Sequence, residues 1–331
     1  MHAILEHRPE GVYCPAGDFF IDPVRPVARA AITHGHADHA RQGHGAVLAT
    51  RETLDIMGLR YGAGFAGAAQ AAEAPVTVGG ARVSLHPAGH VLGSAQILIE
   101  AGGRRAVVSG DYTRTPSPTC APFRPVPCDL FVTEATFALP VFRHPAPEAE
   151  VARLLDSLAR FPERTHLVGA YALGKAQRLI ALLRAAGYDR PVYLHGALTR
   201  LTAYHEARGI ALGPVAPATT DRGRDKLAGE VVLAPPSAFN GNWARRFADP
   251  LLAFASGWMQ VRARARQRRC ELPLVISDHV DWPALLETID ETGASEVWVT
   301  HGREEALVHA CTQRGIRARA LNMVGYEDEP E

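Results

Sequence analysis

Residues Ile32–Gly45 read ITHGHADHARQGHG, and the meaning of this stretch decides the fold. It sets His34, His36, Asp38, His39 and His44 close together, directly after the apolar run VARAAI. In H-x-H-x-D-H the side chains converge from a tight loop rather than from one helix face. Neutral imidazoles and carboxylates suit Zn²⁺ and, less strongly, Mn²⁺ or Fe²⁺. Without an ion, three imidazoles and an aspartate would demand polar partners that the apolar flanks cannot supply. The stretch predicts a metal-binding loop at the end of a buried strand.

One loop cannot furnish ligands for two ions, so others must come from elsewhere in the chain. His90 in PAGHVLGSA, Asp111 in VVSGDYTR and His301 in VWVTHG each lie at the edge of an apolar run beside glycine. At such positions backbone can approach an ion closely.

The chain has 331 residues, 47% hydrophobic and 21% charged, which excludes wholesale disorder and allows about two domains. No apolar run approaches the roughly 20 residues that span a bilayer. The charged start MHAILEHRPEG does not read as an export signal, so a cytoplasmic location without membrane contact is expected. Cys14, Cys120, Cys128, Cys270 and Cys311 are widely spaced, contain no C-x-x-C and read as small buried hydrophobes in a reducing compartment. Formal net charge is zero, so nothing global marks a nucleic-acid binder. Lys175 and Lys226 are the only lysines. The arginine skew suits phosphate contacts, but codon bias in a GC-rich genome is the plainer reading of it.

As far as about residue 135, GDFFID, ARAAITHG, AVLAT, PVTV, ARVSLH, AQILIE and RAVVSGD read as short strands. One helix, roughly Glu52 to Leu59, interrupts them. From about Pro147, helical patterns (APEAEVARLLDSLARF, GKAQRLIALLRAAG, ALTRLTAYHEARG) alternate with strands (THLVGAY, VYLHG, EVVLAPP), the pattern of a parallel sheet with covering helices. LPLVISD, a helix from Trp282, EVWVTHG, a helix from Arg303 and the strand ARALNM close the chain. The expected class is α/β: a β-rich sandwich with outer helices, interrupted by an α/β insert.

In their order, HGHADH, AGHVLGSA, SGDYTR and THG resemble the metallo-β-lactamase fold. VTEATF with Glu134, AYALGKAQ and ISDHVDW with His279 are further similar to its β-CASP nuclease branch, and most similar to bacterial ligase-associated DNA exonucleases, relatives of the Artemis group. The resemblance implies an αββα sandwich in residues 1–141 and 271–331, with a β-CASP insert at 142–270. It implies two divalent ions, expected to be Zn²⁺ with Mn²⁺ as an alternative. His34, His36 and His90 would hold one, Asp38, His39 and His301 the other, and Asp111 would bridge them. Asp22 in FFIDP would brace the ligand loop. His279 with Glu134 would form a proton-donating pair, so that Asp38, Asp111, His279 and Glu134 carry the catalysis.

That set suits phosphodiester hydrolysis: two ions roughly 3.5–4 Å apart activate water and neutralise phosphate charge. A histidine beside a carboxylate can then protonate the leaving oxygen. Standing alone, ISDHVDW would favour a surface histidine starting the helix from Trp282, with Asp278 as its cap; beside the other motifs the order reverses. Gly174 with Lys175 could receive a phosphate at a helix start, or simply begin a helix. Arg262, Arg264, Arg266, Arg268 and Arg269 suit a strand face or extended arm on a nucleic-acid backbone, or a solvated surface. Tyr171, Phe239 and Trp258 could stack on bases, with core packing as the plainer reading. His44 and His86 read as donors near the ligand loops or as turn residues, and His195 as ending a strand of the insert. His2, His7, His144, His166, His205 and His309 read as surface or capping groups.

The leading expectation is a DNA exonuclease in repair or end processing, with a DNA ligase as the implied partner. An RNA-processing β-CASP ribonuclease is the alternative, because RNA-processing members carry histidine where eukaryotic DNA-specific members have valine at the position of His301. A small-molecule metallo-hydrolase is disfavoured by the large insert. A catalytically dead binding subunit is disfavoured because every ligand position is filled.

Overall fold

The computed structural model describes residues 3–218 and 227–321. His2, Lys226 and the last two residues of ARALNM lie outside them. The chain divides into two compact units, one within Met1–Arg143 and His279–Pro330, the other within His144–Asp278.

Among the described residues, the first unit holds two sheets. One has six strands in the order Glu6–Arg8, Gly11–Cys14, Phe19–Ile21, Arg29–Ala31, His44–Ala49 and Ala66–Ala71. The other has seven, in the order Arg317–Ala320, Glu296–Gly302, Leu130–Ala135, Arg104–Val108, Ala95–Ala101, Ala81–Pro87 and Val76–Val78. Alternation along the strands builds the layers. Ile21, Ala31 and Leu48 of the first sheet pack with Ile97, Ile99, Val108 and Val132 of the second as the inner core. Their outward neighbours Ala30, Val47 and Ala49 receive Leu54 and Met57 of the helix Arg51–Tyr61. Likewise Val107, Phe131 and Val299 receive Leu285 and Ile289 of the helix Trp282–Thr292 and Leu307 and Cys311 of the helix Glu304–Gln313. The result is a helix–sheet–sheet–helix sandwich, with cores of buried aliphatics on both faces of each sheet.

Local chemistry sets the helix ends. Thr50 accepts the Thr53 N–H at 3.2 Å to start the first helix. Asp281, not Asp278, accepts the Ala284 N–H at 3.2 Å to start the helix from Trp282, and Gly293 in the left-handed region ends it.

The second unit is a parallel sheet in the order Val215–Pro217, Val192–Leu194, Val231–Ala234, His166–Gly169, Leu251–Ala255, Leu272–Leu274. One face packs under the helices Pro147–Arg160, Lys175–Ala185 and Gly196–Ala207. The other packs under the short turns Pro236–Asn240 and Ala244–Arg246.

Several readings are corrected. LPLVISD was expected to open the returning part of the sandwich, but it supplies the edge strand Leu272–Leu274 of the second unit. The arginine segment is neither strand nor extended arm: Arg262–Gln267 is helical. Spacing of two along a helix turns successive guanidiniums in different directions, and Arg264 lies 3.8 Å from the Trp258 ring centroid. Ala66–Ala71 escaped notice because AGAAQA has little strand propensity; its pairing with His44–Ala49 holds it. His166 and His205 are fully buried rather than superficial. His166 Nε2 meets the Ser157 hydroxyl at 2.8 Å, and His205 Nδ1 donates to the Leu201 carbonyl at 2.7 Å.

Candidate metal centre

The site lies at the carboxyl ends of neighbouring strands. The loop after Arg29–Ala31 carries His34, His36, Asp38 and His39. His90 follows Ala81–Pro87, Asp111 follows Arg104–Val108, and Glu134 and His301 stand near the ends of their own strands. Two glycines allow the loops to meet. Gly110 has φ +56°, and a Cβ there would lie 2.6 Å from the Thr33 side chain. Gly89 has φ +76°, and a Cβ there would lie 2.5 Å from the Thr113 carbonyl.

His301 is aimed by an irregularity that sequence pattern alone does not show. Glu134 pairs with Thr300 and Ala135 with Gly302, so His301 is the extra residue of a bulge, with φ +56°. Its imidazole stacks on His39 with ring centroids 5.0 Å apart and planes 20° from parallel. Asp22 also holds positive φ, at +44°. Two strained non-glycine residues at one site mark a geometry imposed by their surroundings.

Donor atoms of His34, His36, His90 and Asp111 all lie within 4.8 Å of one another. His36 Nδ1 is 3.1 Å from His34 Nε2 and 3.0 Å from His90 Nε2. Asp111 Oδ2 is 3.5 Å from His34 Nε2 and 3.7 Å from His90 Nε2. A tetrahedral ion with ligands about 2.0–2.1 Å away spaces them about 3.3–3.4 Å apart, so these four atoms fit one. On the other side, His39 Nε2 is 3.6 Å from both Asp38 Oδ2 and Asp111 Oδ2. Asp111 Oδ2 is common to both groups.

Tautomers follow from the bonds behind the rings. The Thr33 hydroxyl donates to Asp22 Oδ2 at 2.5 Å, so Thr33 Oγ1 must accept the Nδ1–H of His34 at 3.0 Å. His39 Nδ1–H donates to the same Asp22 oxygen at 2.8 Å, while Asp22 Oδ1 accepts the Thr33 N–H at 2.8 Å. In the neutral, metal-binding forms of these rings both Nε2 atoms therefore present lone pairs, one towards another imidazole nitrogen and a carboxylate, the other towards two carboxylates. Lone pairs facing lone pairs repel unless a cation stands between them, and this donor set fits divalent metal.

The electrostatics differ between the rings: without a cation, His34 and His301 stay neutral, while the carboxylates hold His39 protonated, a charge that a bound ion would replace. Burial, with the charges of neighbouring histidines, holds His34 well below the usual histidine range, and burial chiefly does the same to His301. Burial would lower His39 too, but Asp111 and Asp38 outweigh it and push it up to about 10. Burial pushes Asp111 up to about 7. Carboxylates crowded around His39 seek positive charge.

Beside this cluster, His279 Nδ1 meets Glu134 Oε2 at 2.8 Å. The other Glu134 oxygen accepts the Tyr112 N–H at 2.8 Å, which fixes the carboxylate plane. Glu134 is buried, whereas the His279 side chain is 21% exposed. Donor atoms of Asp111, Glu134 and His279 lie within 4.8 Å of one another.

The expected substrate contacts fare differently. Lys175 is buried and its ammonium pairs with Asp278 and the Ile276 carbonyl, so it offers no cation to an incoming phosphate. Gly174, at φ +86°, begins its helix with its N–H bonded to Gln177 Oε1 at 2.9 Å. Arg262 and Arg266 are exposed and Arg264 is partly so. Trp258 packs beside Phe254 and Met259, Phe239 packs over the second unit's sheet, and Tyr171 is partly buried. His195 Nδ1 caps the helix Gly196–Ala207 by accepting the Ala197 N–H at 3.1 Å. His44 Nδ1 lies 3.3 Å from the Val27 N, and His86 Nε2 meets the Ser84 hydroxyl at 3.0 Å. The part of Thr33, which joins Asp22 to His34, was missed; its place directly before the first ligand was the available signal.

A four-layer sandwich gathering histidines and aspartates at its strand ends defines the metallo-β-lactamase fold class. No protein-family model matches the chain. A "Probable DNA ligase" of Opitutus terrae is 28% identical over 319 residues, spanning 94% of this chain and 30% of that protein. "Endoribonuclease ysh-1" of Neurospora crassa is 33% identical over 135 residues, 38% of this chain and 16% of that protein. The chain thus spans about a third or less of these relatives' length. A crystal structure of a protein of unknown function from Enterococcus faecalis aligns with TM-score 0.59 at 14% identity, covering 88% of this chain and 78% of that one, a likeness of fold. The chain is thus similar to β-CASP nucleases of the metallo-β-lactamase fold.

Proposed function

We propose that the protein is a two-metal phosphodiesterase that hydrolyses nucleic acid, acting as a DNA exonuclease in end processing. The observation that carries this reading is the pair of donor groups sharing Asp111, with the Glu134–His279 pair directly beside them. His34, His36, His90 and Asp111 would hold one ion, and Asp38, His39, His301 and Asp111 the other. Bound divalent ions, with Zn²⁺ the best match to the histidine-rich donors, supply an activated water and neutralise charge on the phosphate.

The remaining work falls to the chain's own side chains. Asp22, directly and through Thr33, keeps both Nε2 lone pairs turned inward. Glu134 accepts the Nδ1–H of His279, which orients the ring. His279 then gives the Nε2 proton to the leaving oxygen as the phosphorus–oxygen bond breaks, and water restores it. Arg262, Arg264 and Arg266 are the proposed backbone contacts in the second unit.

The relative named as a DNA ligase, matched along nearly this whole chain, favours DNA ends and work beside strand sealing. RNA as substrate is favoured by His301 and by the endoribonuclease relative. The test incubates metal-replete protein with end-labelled single- and double-stranded DNA and RNA of one sequence. Progressive shortening of DNA alone is expected; ladders from RNA alone would transfer the activity to the second reading. His279→Ala should slow cutting about 10²- to 10⁴-fold with metal content intact. Full activity in that variant would remove the general acid, and activity retained in Asp38→Ala would expose a contaminating nuclease.

A further inference from the structure

The second unit contains a cavity of about 230 Å³, lined by Phe239, Asn240, Phe254, Gln267, Arg268 and Cys270 among others. We propose that it is a nucleobase-binding pocket that holds one base of a bound strand.

Connections on opposite faces of the sheet frame the cavity. The connection after His166–Gly169 runs over one sheet face through the helix Lys175–Ala185, whereas that after Val231–Ala234 runs over the other through Pro236–Asn240. The cavity opens on the face covered by Pro236–Asn240, over the strand Leu251–Ala255. Pro236, Phe239 and Asn240 line it together with Gln267 at the end of the helix Arg262–Gln267 and with Leu252, Ala253 and Phe254 of the strand Leu251–Ala255.

The chemistry of the walls matches a base. The Arg268 guanidinium lies 4.4 Å from the centroid of the Phe254 ring. That ring is itself clamped: a Cβ on Gly169 would lie 2.4 Å from it, so only glycine lets it seat. Arg268 is thereby held as a flat, charged surface on which a planar ring can stack. Asn240 and Gln267 are exposed amides, each with donors and an acceptor of the kind that pair with base edges. The volume falls below the roughly 300 Å³ at which pockets take drug-sized ligands, which suits one ring system. Exposed Arg245, Arg246, Arg262, Arg266 and Arg269 on the flanking segments suit the adjoining phosphates.

The inference deepens the nucleic-acid reading and rests on it for the choice of ligand, not for the chemistry of the metal centre. The test titrates chelator-treated protein with fluorescein-labelled deca-deoxyadenylate, and with an abasic strand of equal length, by anisotropy at fixed salt. The unsubstituted protein should bind the adenine strand about tenfold more tightly than the abasic one. Arg268→Lys, which keeps the charge and loses the plane, should erase most of that difference, as should Asn240→Leu. Arg160→Lys, at the exposed end of the helix Pro147–Arg160, should leave it within about twofold. Equal affinity for both strands, no binding of the adenine strand, or an unchanged preference in Arg268→Lys would each overturn the pocket. Comparing two strands on one protein separates base recognition from misfolding. Hydrolysis of bis(p-nitrophenyl) phosphate, lost in Asp38→Ala, reports on the metal centre independently.

Discussion

Replacing Asp22 by asparagine changes one atom and tests the tautomer argument directly. Asp22 Oδ2 accepts both the Thr33 hydroxyl and the His39 Nδ1–H, at 2.5 and 2.8 Å, while Oδ1 accepts the Thr33 N–H. An amide has a single acceptor oxygen. With that oxygen kept on the Thr33 N–H, the NH₂ group faces His39 Nδ1, where a donor meets a donor. His39 can relieve the clash only by turning away or by moving its proton to Nε2. Either change removes the lone pair now aimed between Asp38 and Asp111. A hydrogen bond to a charged group is worth about 1.5–3 kcal/mol, and disturbing partners behind a metal ligand costs about 10–100-fold in affinity. Chelator-competition titration of metal-stripped protein with Zn²⁺ should show that loss for the ion nearer His39. A smaller loss is expected for the ion nearer His34, whose orientation passes through Thr33. Unchanged affinity for both ions in a folded Asp22→Asn variant would refute the reasoning.

Gly110→Ala should lower the thermal midpoint and metal content together. Its Cβ would lie 2.6 Å from the Thr33 side chain at φ +56°, and overpacking of this kind costs about 1–3 kcal/mol. Lys175→Met should destabilise the protein by about 3–5 kcal/mol, read by urea unfolding, because it breaks a buried ion pair with Asp278. Weakened phosphate binding at unchanged stability would restore the phosphate role to Lys175. Stability should also fall in acid. Burial lowers the pKa of His166 and His205 in the folded state, so below about pH 6.5 the unfolded chain takes up protons that the folded chain refuses. That stability is present at neutral pH and is lost as pH falls from about 6.5 towards the depressed folded values. Thermal midpoints of the unsubstituted protein and of His205→Phe, compared between pH 8 and pH 5, should show a shallower decline in the variant. Parallel declines would show that His205 is not among the groups responsible.

From the sequence alone came the class of fold and the candidate residues of the site. Apolar alternation and turn residues act over a few positions, so strands such as Ala95–Ala101 and Arg104–Val108 are legible where they stand. Histidines and aspartates at successive strand ends, from HGHADH to THG, announce convergence because parallel neighbours bring those ends to one edge of a sheet. Tertiary structure decided what each group can do there. Only long-range contacts settle which nitrogen of His34 or His39 faces inward, through Thr33 and Asp22, and only a bulge against Glu134 and Ala135 turns His301 to the centre. The same holds for Lys175, drawn from an expected phosphate contact into a buried ion pair, and for His166 and His205, taken from the expected surface into the core. Burial, protonation and orientation depend on partners far along the chain, and no local pattern encodes them.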